Sequence, residues 1–506
     1  MLNFLIRRIL AGIATLVVAL FLMYLLVDRA IDPLQDLLES NVRNKQQLID
    51  ARIDLLNLDT NVVVRFFQWA GNLLTGDFGI AWRSGQPVRD LLTHAIGSTL
   101  QLVTAATILS LVIGVTVGIV SALRQYSGFD YGIIFLSFLL YSLPSFWVAV
   151  LLKQWAAIGF NDFLKDPVIG WSVIAGIALV AGLFWSLAVG GRPARRWQVF
   201  GIAFAATFAM FAYLQLSGWW ERPQIGPILL LILAGGTALA ISAVFAGLHN
   251  RRALWTALTT VGVGLALYLP MQVVFDSIVV NNWIIFGFAL ITLAVGFLIG
   301  RLYGGPDWGI SARTGAAVAF ITGGLIYIDQ VMQVWPPYFR ALNGRPIPTF
   351  GDRTPGLGGN YWVGVLDGFT HLLLPTATLV LIAFAAYTRY SRSSMLEVMS
   401  QDYIRTARAK GLPERAVVVR HGFRNTLIPL ATIVPIDIIT LIGGAVITEA
   451  VFARPGMGQL FVRSLGDAEI EPVMGYLLIT ATLAIIANIV ADIVYASIDP
   501  RIRLDA

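Results

Sequence analysis

Residues 389–424 read RYSRSSMLEVMSQDYIRTARAKGLPERAVVVRHGFR. They hold eight Lys/Arg against three Asp/Glu. Apolar segments flank them, Leu372–Tyr387 before and Leu427–Ile447 after. A basic loop between two membrane spans is read as cytoplasmic. The stretch also has internal punctuation. Asp402 to Lys410 predicts a short helix, stopped by Gly411 with Pro413 two residues on. A short helix presented between two spans has the form of a docking element that transmits force from a soluble partner. Charge alone allows a blander reading, in which the loop only satisfies topology.

The rest of the composition agrees with a membrane setting. Of 506 residues 57% are apolar and 13% charged, with mean hydropathy +0.76; a soluble domain carries about 25% charged residues. Many apolar runs approach the roughly 20 residues that cross a bilayer. They do not alternate apolar with polar, which excludes a barrel. The fold class is an all-α polytopic membrane protein. A net charge of +6 follows from the basic loops and gives no reason to invoke nucleic acid. There is no cysteine, so disulfides and thiolate metal sites are excluded. Arg7 and Arg8 precede an apolar run from Ile9 to Val27, too long for a signal peptide. It reads as a retained first span with its N-terminus inside.

Twelve spans are expected. The first is 9–27, followed by 98–122 and 131–154. A long apolar block then divides into 168–190, 198–216, 226–248, 254–274, 283–300 and 314–330, and the last three spans are 371–391, 426–448 and 473–496. Loop charge tests the count. The turns that must lie inside hold Arg192, Arg195 and Arg196; Arg251 and Arg252; and Arg301 and Arg313 with Asp307. The opposite turns hold Glu221 with Arg222, and Asp276. Positive charge falls on the inside turns, as it should. The chain leaves its last span with Asp499-Pro500-Arg501-Ile502-Arg503, again inside.

The 389–424 loop closely resembles the cytoplasmic coupling loop of permease subunits of the dipeptide/oligopeptide-type ABC importer family. The matching residues are Ser393 to Val398, Gln401 to Leu412, Arg420-His421 and Arg424 to Pro429. Further matches fall in order at both ends of the chain: Leu74 to Gly79, Ser142-Leu143-Pro144-Ser145-Phe146-Trp147, Gly443 to Val446, Glu449 to Phe452, Pro455-Gly456-Met457-Gly458, and Asp492 through Arg501. The family pattern Glu-Ala-Ala, three residues, then Gly is met here by Arg405-Thr406-Ala407 and Gly411. Only Ala407 and Gly411 match, so a role of the family's Glu is not carried to Arg405.

The resemblance implies a type I importer permease core of six helices, with about six extra helices inserted. The expected domains are 1–160, the N-terminal part of the core with an extracytoplasmic loop 28–97; 161–335, the inserted block; and 336–506, the C-terminal part with the coupling loop. It implies a second homologous permease, two ATPase domains and an extracytoplasmic substrate-binding protein as partners. It implies a bacterial or archaeal cytoplasmic (inner) membrane, with both termini cytoplasmic. The docking helix would enter a groove on the ATPase. Asp402, Tyr403, Arg405, Ala407, Arg408 and Gly411 are its candidate coupling residues, with Tyr403 and Ala407 on one face and Arg405 and Arg408 on another.

No catalytic motif is present. Lysine occurs only at positions 45, 153, 165 and 410, none in a phosphate-binding Gly-rich loop. No His-Glu-x-x-His occurs, and the four histidines are far apart in sequence. The chain is therefore expected to be no enzyme and to hold no cofactor or metal, with ATP and Mg on a separate ATPase chain. Candidates for the translocation path are Asp437, an ionisable residue in mid-span, and Ser142 with Pro144, where proline opens the helix ladder. For Asp437 an interhelix hydrogen bond is an equal alternative; for Pro144 the alternative is a packing kink. Asp492 reads as an interfacial, structural carboxylate. The loops 28–97 and 331–370 are expected to be ordered surfaces for the binding protein. The inserted block, poor in mid-span charge, is expected beside the transport core, against span 131–154 or span 371–391. The rivals are an ion-coupled secondary transporter, whose halves usually match, and a membrane scaffold. Within the ABC reading, nickel or oligosaccharide is the alternative to peptide.

Overall fold

The computed structural model describes residues 2–41, 43–430, 433, 434, 437 and 445–498. The chain is helical almost throughout. Among the described residues the one sheet is a two-stranded hairpin, β1 (Ile80–Ala81) with β2 (Gln86–Pro87). Helix α1 (Leu2–Ala30) is followed outside the core by α2 (Gln35–Glu39), α3 (Lys45–Leu56) and α4 (Val62–Leu74). The expected ordered loop 28–97 is thus helical, and Phe66 and Trp69 of α4 are buried against Tyr24 of α1.

The centre of the molecule is a pair of long helices, α5 (Val88–Leu123) and α16 (Tyr361–Met399). At 1.5 Å per residue they extend about 54 and 58 Å, well beyond the roughly 30 Å of hydrocarbon. They are longer than the spans 98–122 and 371–391 read from hydropathy, because their polar ends continue helical past the apolar stretch. They run parallel. Leu102 and Leu379 share one core cluster, and about two to four turns further on Gly114 lies against Tyr387 and Gly118 against Ser391. A Cβ at Gly114 would stand 2.9 Å from the Tyr387 Cβ. Small residues are what allow two membrane helices to approach so closely.

Between them in sequence, α6 (Gly128–Ser142) rises and breaks. Helix α7 (Ser145–Leu152), a π-helical turn over 153–159 and α8 (Phe160–Phe163) continue at 101° to it. The expectation of one span over 131–154 with a kink is corrected to a broken span. Leu143 and Pro144 both adopt extended backbone, which disconnects the two ladders.

Six further helices occupy the 161–335 region: α9 (Trp171–Val189), α10 (Pro193–Leu216), α11 (Gly226–Phe245), α12 (Arg251–Ser277), α13 (Asn282–Gly304) and α14 (Trp308–Gln333). Helices α9 and α10 form a hairpin with Phe200 against Gly182. Helices α13 and α14 interlock through Gly296, Gly300 and Gly304 facing Ser311, Ala312 and Gly315. The set contacts the core through α14 on α16 and α9 on α6. Phe275 packs edge-on and Tyr327 tilted against Trp362, with ring centroids 5.1 and 5.4 Å apart.

One feature of this region departs from its apolar reading. Asp329 of α14 is buried. It accepts hydrogen bonds from the backbone N–H groups of Ile225 and Gly226, the Tyr268 hydroxyl, and the amides of Gln272 and Gln333. The carboxylate staples the start of α11 to α12 and α14. These donors satisfy a carboxylate that burial would otherwise penalise.

The C-terminal part contains α15 (Trp335–Ala341), then α16, α17 (Asp402–Ala409), α18 (Glu414–Ala416), a π turn over 417–423, α19 (Val446–Val451), α20 (Met457–Gly466) and α21 (Ile470–Ile498). Helix α21 lies antiparallel to α1, with Ile485 against Gly12 and Val473 in the cluster of Tyr24 and Val27. Among the described residues nine helices are long and apolar enough to cross a membrane, and the broken pair makes ten. About half of the expected span 426–448 falls outside the described residues, as do Gly443-Gly444, the 499–503 tail and the side chain of Asp492.

Side-chain contacts gather the expected inside turns on one face. Arg124, after α5, bonds Ala188 O at the end of α9. Arg415, in the 389–424 loop, bonds Val244 O at the end of α11 at 2.6 Å. Arg252 reaches Gly304 O. On the opposite face Asn161 and Ile347 exchange two hydrogen bonds, and Tyr361 bonds Asn282 at 2.9 Å.

Candidate coupling and path sites

The predicted docking helix forms as α17, over Asp402–Ala409. Its end is built by Gly411, whose φ of +73° is the left-handed conformation that an L side chain resists. The Gly411 N–H donates to Arg408 O at 2.9 Å and the Leu412 N–H to Ala407 O at 3.4 Å. This is the paired bonding that closes a helix C-terminus at a left-handed residue. Pro413 then starts the turn into α18.

The helix is fixed to its own chain by an apolar underside. Ile404 and Ala407 are buried against Val417 and Met399. This corrects the reading of Tyr403 and Ala407 as one outward face. Tyr403 is exposed, its hydroxyl accepting from Asn425 Nδ2 at 2.9 Å, whereas Ala407 points into the permease, where a small side chain lets α17 lie close. Arg405 and Arg408 are both exposed, and each has an acidic neighbour within the chain. Arg408 is clasped by Glu414 through two hydrogen bonds of 2.7 and 3.2 Å. The guanidinium beside it holds the Glu414 carboxyl below the usual range. Arg405 stays 74% exposed, 3.5 Å from Asp402, which is itself open to solvent. The surface offered outward therefore includes Asp402, Tyr403, Arg405, Arg408 and Gly411.

Above α17, a polar cluster ties the docking region to the α5–α6 turn. Arg392 of α16 donates from Nε and Nη2 to the two oxygens of Asp130, at 2.7 and 2.9 Å. The same carboxylate accepts from the Ser121 hydroxyl at 2.5 Å and the Tyr126 N–H at 3.0 Å. Asp130 is buried, with the side chain 1% exposed. Sequence reasoning passed over it. Its signal was Ser127 three residues before, the N-cap of α6, which accepts from the Asp130 N–H at 3.2 Å.

At the other end of α5 a second cluster was also missed as a site. Glu449 is fully buried and accepts from the Thr99 hydroxyl at 2.6 Å and from the N–H groups of Gly458 and Gln459 at 2.7 and 3.2 Å. The Met457 N–H donates to Thr99 Oγ1 at 2.8 Å. Any side chain at Gly456 would strike the Glu449 carboxylate. The run Glu449…Pro455-Gly456-Met457-Gly458 thus encodes a loop wrapped on a buried carboxylate. Arg454, buried beside it, bonds Gln101.

The three path candidates are not brought together. The Ser142 hydroxyl returns to Leu139 O at 2.8 Å. Pro144 is exposed at the break. Asp437 accepts a hydrogen bond from the buried Tyr387 hydroxyl of α16. That partner corresponds to the interhelix alternative. Among the described residues no three His, Cys, Asp or Glu converge in a way that would hold a metal ion.

The family described as "Binding-protein-dependent transport system inner membrane component" matches residues 241–504, just over half of the chain. The chain belongs to this family. It is a multi-pass membrane protein of the permease type. Its relatives include the oligopeptide transport system permease protein OppB of Mycobacterium bovis, 24% identical over 504 residues and the full length of both chains. AppB of Bacillus subtilis, also an oligopeptide transport system permease protein, is 40% identical over 205 residues, 40% of this chain and 61% of the relative. The dipeptide transport system permease protein DppB of Escherichia coli is 40% identical over 148 residues, 29% of this chain and 42% of the relative. The same aligned segment is a larger share of each of the last two, so both are shorter than this permease.

Proposed function

We propose that the chain is a transmembrane permease subunit of an ATP-driven, binding-protein-dependent importer of di- or oligopeptides. The observation that carries this is α17: a short helix with a buried underside, a closed C-terminus and an exposed Asp402-Tyr403-Arg405 surface, carried at the end of the long helix α16. It is the part of the family fold on which a soluble motor acts. ATP and Mg are bound by separate ATPase domains. A second, homologous permease completes the path, and peptide arrives from a binding protein on the opposite face. Both termini and α17 lie on the cytoplasmic side of the membrane, where the arginine turns also lie. The α9–α14 set is an insertion into a six-helix core. Peptide is the cargo named for OppB, AppB and DppB alike.

The test is the purified assembly in lipid nanodiscs. Its ATPase rate rises when binding protein and peptide are both present and stays at baseline with either alone. Mass spectrometry of the ligand carried by the co-purified binding protein identifies the cargo. Ion-gradient-driven uptake without ATP, or a metal or sugar as the carried ligand, would contradict the reading.

A further inference from the structure

An apolar cavity has no part in the sites above. It lies between α12, α13 and α14 and has a volume of about 370 Å³. Three glycines, Gly264, Gly323 and Gly324, make room for it. Three threonines line it, and each has already bonded its hydroxyl to its own helix. Thr260 donates to Thr256 O, Thr292 to Phe288 O and Thr322 to Val318 O, all at 2.8 Å. The Tyr327 hydroxyl is bonded to Tyr361. What remains facing the cavity is methyl, methylene and aromatic carbon. Water needs two to four polar partners to occupy such a space, and an apolar cavity of about 150 Å³ is known to stay dry and admit benzene.

Its shape narrows the choice of occupant. On α12 the lining runs from Thr260 to Phe275, about 22 Å along the helix axis. A slot of this length, opening between helices that stay packed at its back, suits a long, flexible hydrocarbon chain. The slot runs along spanning helices, so it lies in the direction of the bilayer's own chains. Leu267, Ile291 and Phe320 line it and are also exposed on the outer surface of the helices, so it opens toward lipid. Its apolar lining stops within one turn of Asp276, Asn282 and Gln330, where polar groups begin. The occupant is apolar along its length and polar at one end.

We infer that this slot holds one acyl chain of a membrane phospholipid. The chain fills space that would otherwise lack packing contacts, and it makes the extra helices a lipid-binding element of the permease. The inference uses only the position of α12–α14 in the membrane and does not depend on the cargo.

The test is native mass spectrometry of the full-length permease, released from detergent after equilibration with phosphatidylethanolamine. One phospholipid is expected to persist per chain after the detergent is stripped. Gly324→Phe fills the slot from a position where a Cβ meets nothing within 4 Å, so it should fold. Its retained lipid should fall by about tenfold. Ala289→Leu, from the facing helix, should lower it as well. Gly236→Phe, on the exposed face of α11, should leave it unchanged. A lysophospholipid with a single chain should compete for the site. Equal retention by wild type and both filling variants, or no retained lipid in the wild type, overturns the assignment. So does crosslinking of Ile291→Cys to another subunit of the assembly, which would put protein in the slot.

Discussion

Replacing Arg392 with Met should be the most damaging single change in the docking region. The substitution keeps much of the aliphatic stem and removes the charge. Asp130 then keeps the Ser121 hydroxyl and the Tyr126 N–H but loses two charge-assisted bonds of 2.7 and 2.9 Å. Its side chain is 1% exposed, so water cannot replace them, whereas Arg392 is 21% exposed and can reach solvent. Breaking a buried pair from the side that strands the buried charge costs 3–5 kcal/mol. The two remaining donors place this case at the lower end, about 3 kcal/mol. Asp130→Asn leaves a neutral amide against a cation that can turn to water, and should cost about 1–2 kcal/mol. The double variant should be more stable than Arg392→Met alone, because no charge is left stranded. Thermal unfolding of the purified permease measures all three, and the ligand-stimulated ATPase of the assembly reports coupling. If Arg392→Met unfolds no earlier than Asp130→Asn, or if the two effects simply add, the buried pair does not hold this region together.

Three other outcomes follow from the same geometry. At Gly411 a Cβ meets nothing within 4 Å, so substitutions there act through the +73° φ alone until a partner docks; Ala should cost about 1 kcal/mol locally and Val more, with Asn nearly neutral. Stimulated ATPase should follow that order, Asp should fall below Ala by adding charge to the docking surface, and full coupling in the Val variant would refute the role of the helix stop. Because the chain lacks cysteine, single cysteines at Arg195, Arg251 and Arg408 should react only with a membrane-permeant maleimide and one at Asp276 also with an impermeant one; external labelling at Arg251 would break the topology. Replacing 168–330 by a short polar linker exposes Trp362 and Leu366 to lipid, which is apolar, so assembly with the ATPase should survive and is read by co-purification; a truncated chain that no longer binds the ATPase would show that the extra helices support the core.

Much of this was legible because membrane spans and arginine-rich turns are written locally. The coupling helix was legible for the same reason: Gly411 and Pro413 fix its end whatever surrounds it. What was not legible depended on which helices meet. Nothing near Ala407 in sequence says that Val417 folds back to bury it. Asp130 and Arg392 are 262 positions apart, and Thr99 and Glu449 are 350 apart. Asp329 was read as part of an apolar run because its five donors come from three helices. The span over 131–154 was expected to bend at Pro144, yet hydropathy carries no angle. The 101° break depends on Leu143 as well as Pro144 leaving the helical region.

The two buried carboxylates are anchored at points along α5 that lie on opposite sides of the bilayer core. Thr99 holds the Glu449 loop at one end and Ser121 holds Asp130 at the other. They are 22 residues apart in a continuous helix, about 33 Å, which is the thickness of the hydrocarbon core. Between them Gly114 and Gly118 lock α5 to α16, and α16 continues directly into the arm that carries α17. A displacement of α17 therefore has a stiff route to the opposite face. It enters through Met399 and Arg392 and passes along two helices that cannot slide, because neither glycine admits a side chain. It arrives at a loop whose backbone N–H groups are bound to Glu449. On this geometry Asp130–Arg392 is, like Thr99–Glu449, a link made by side chains rather than by helix continuity. Losing it should uncouple the two ends before it unfolds either of them, so Arg392→Met should lower stimulated ATPase at temperatures where the permease is still folded.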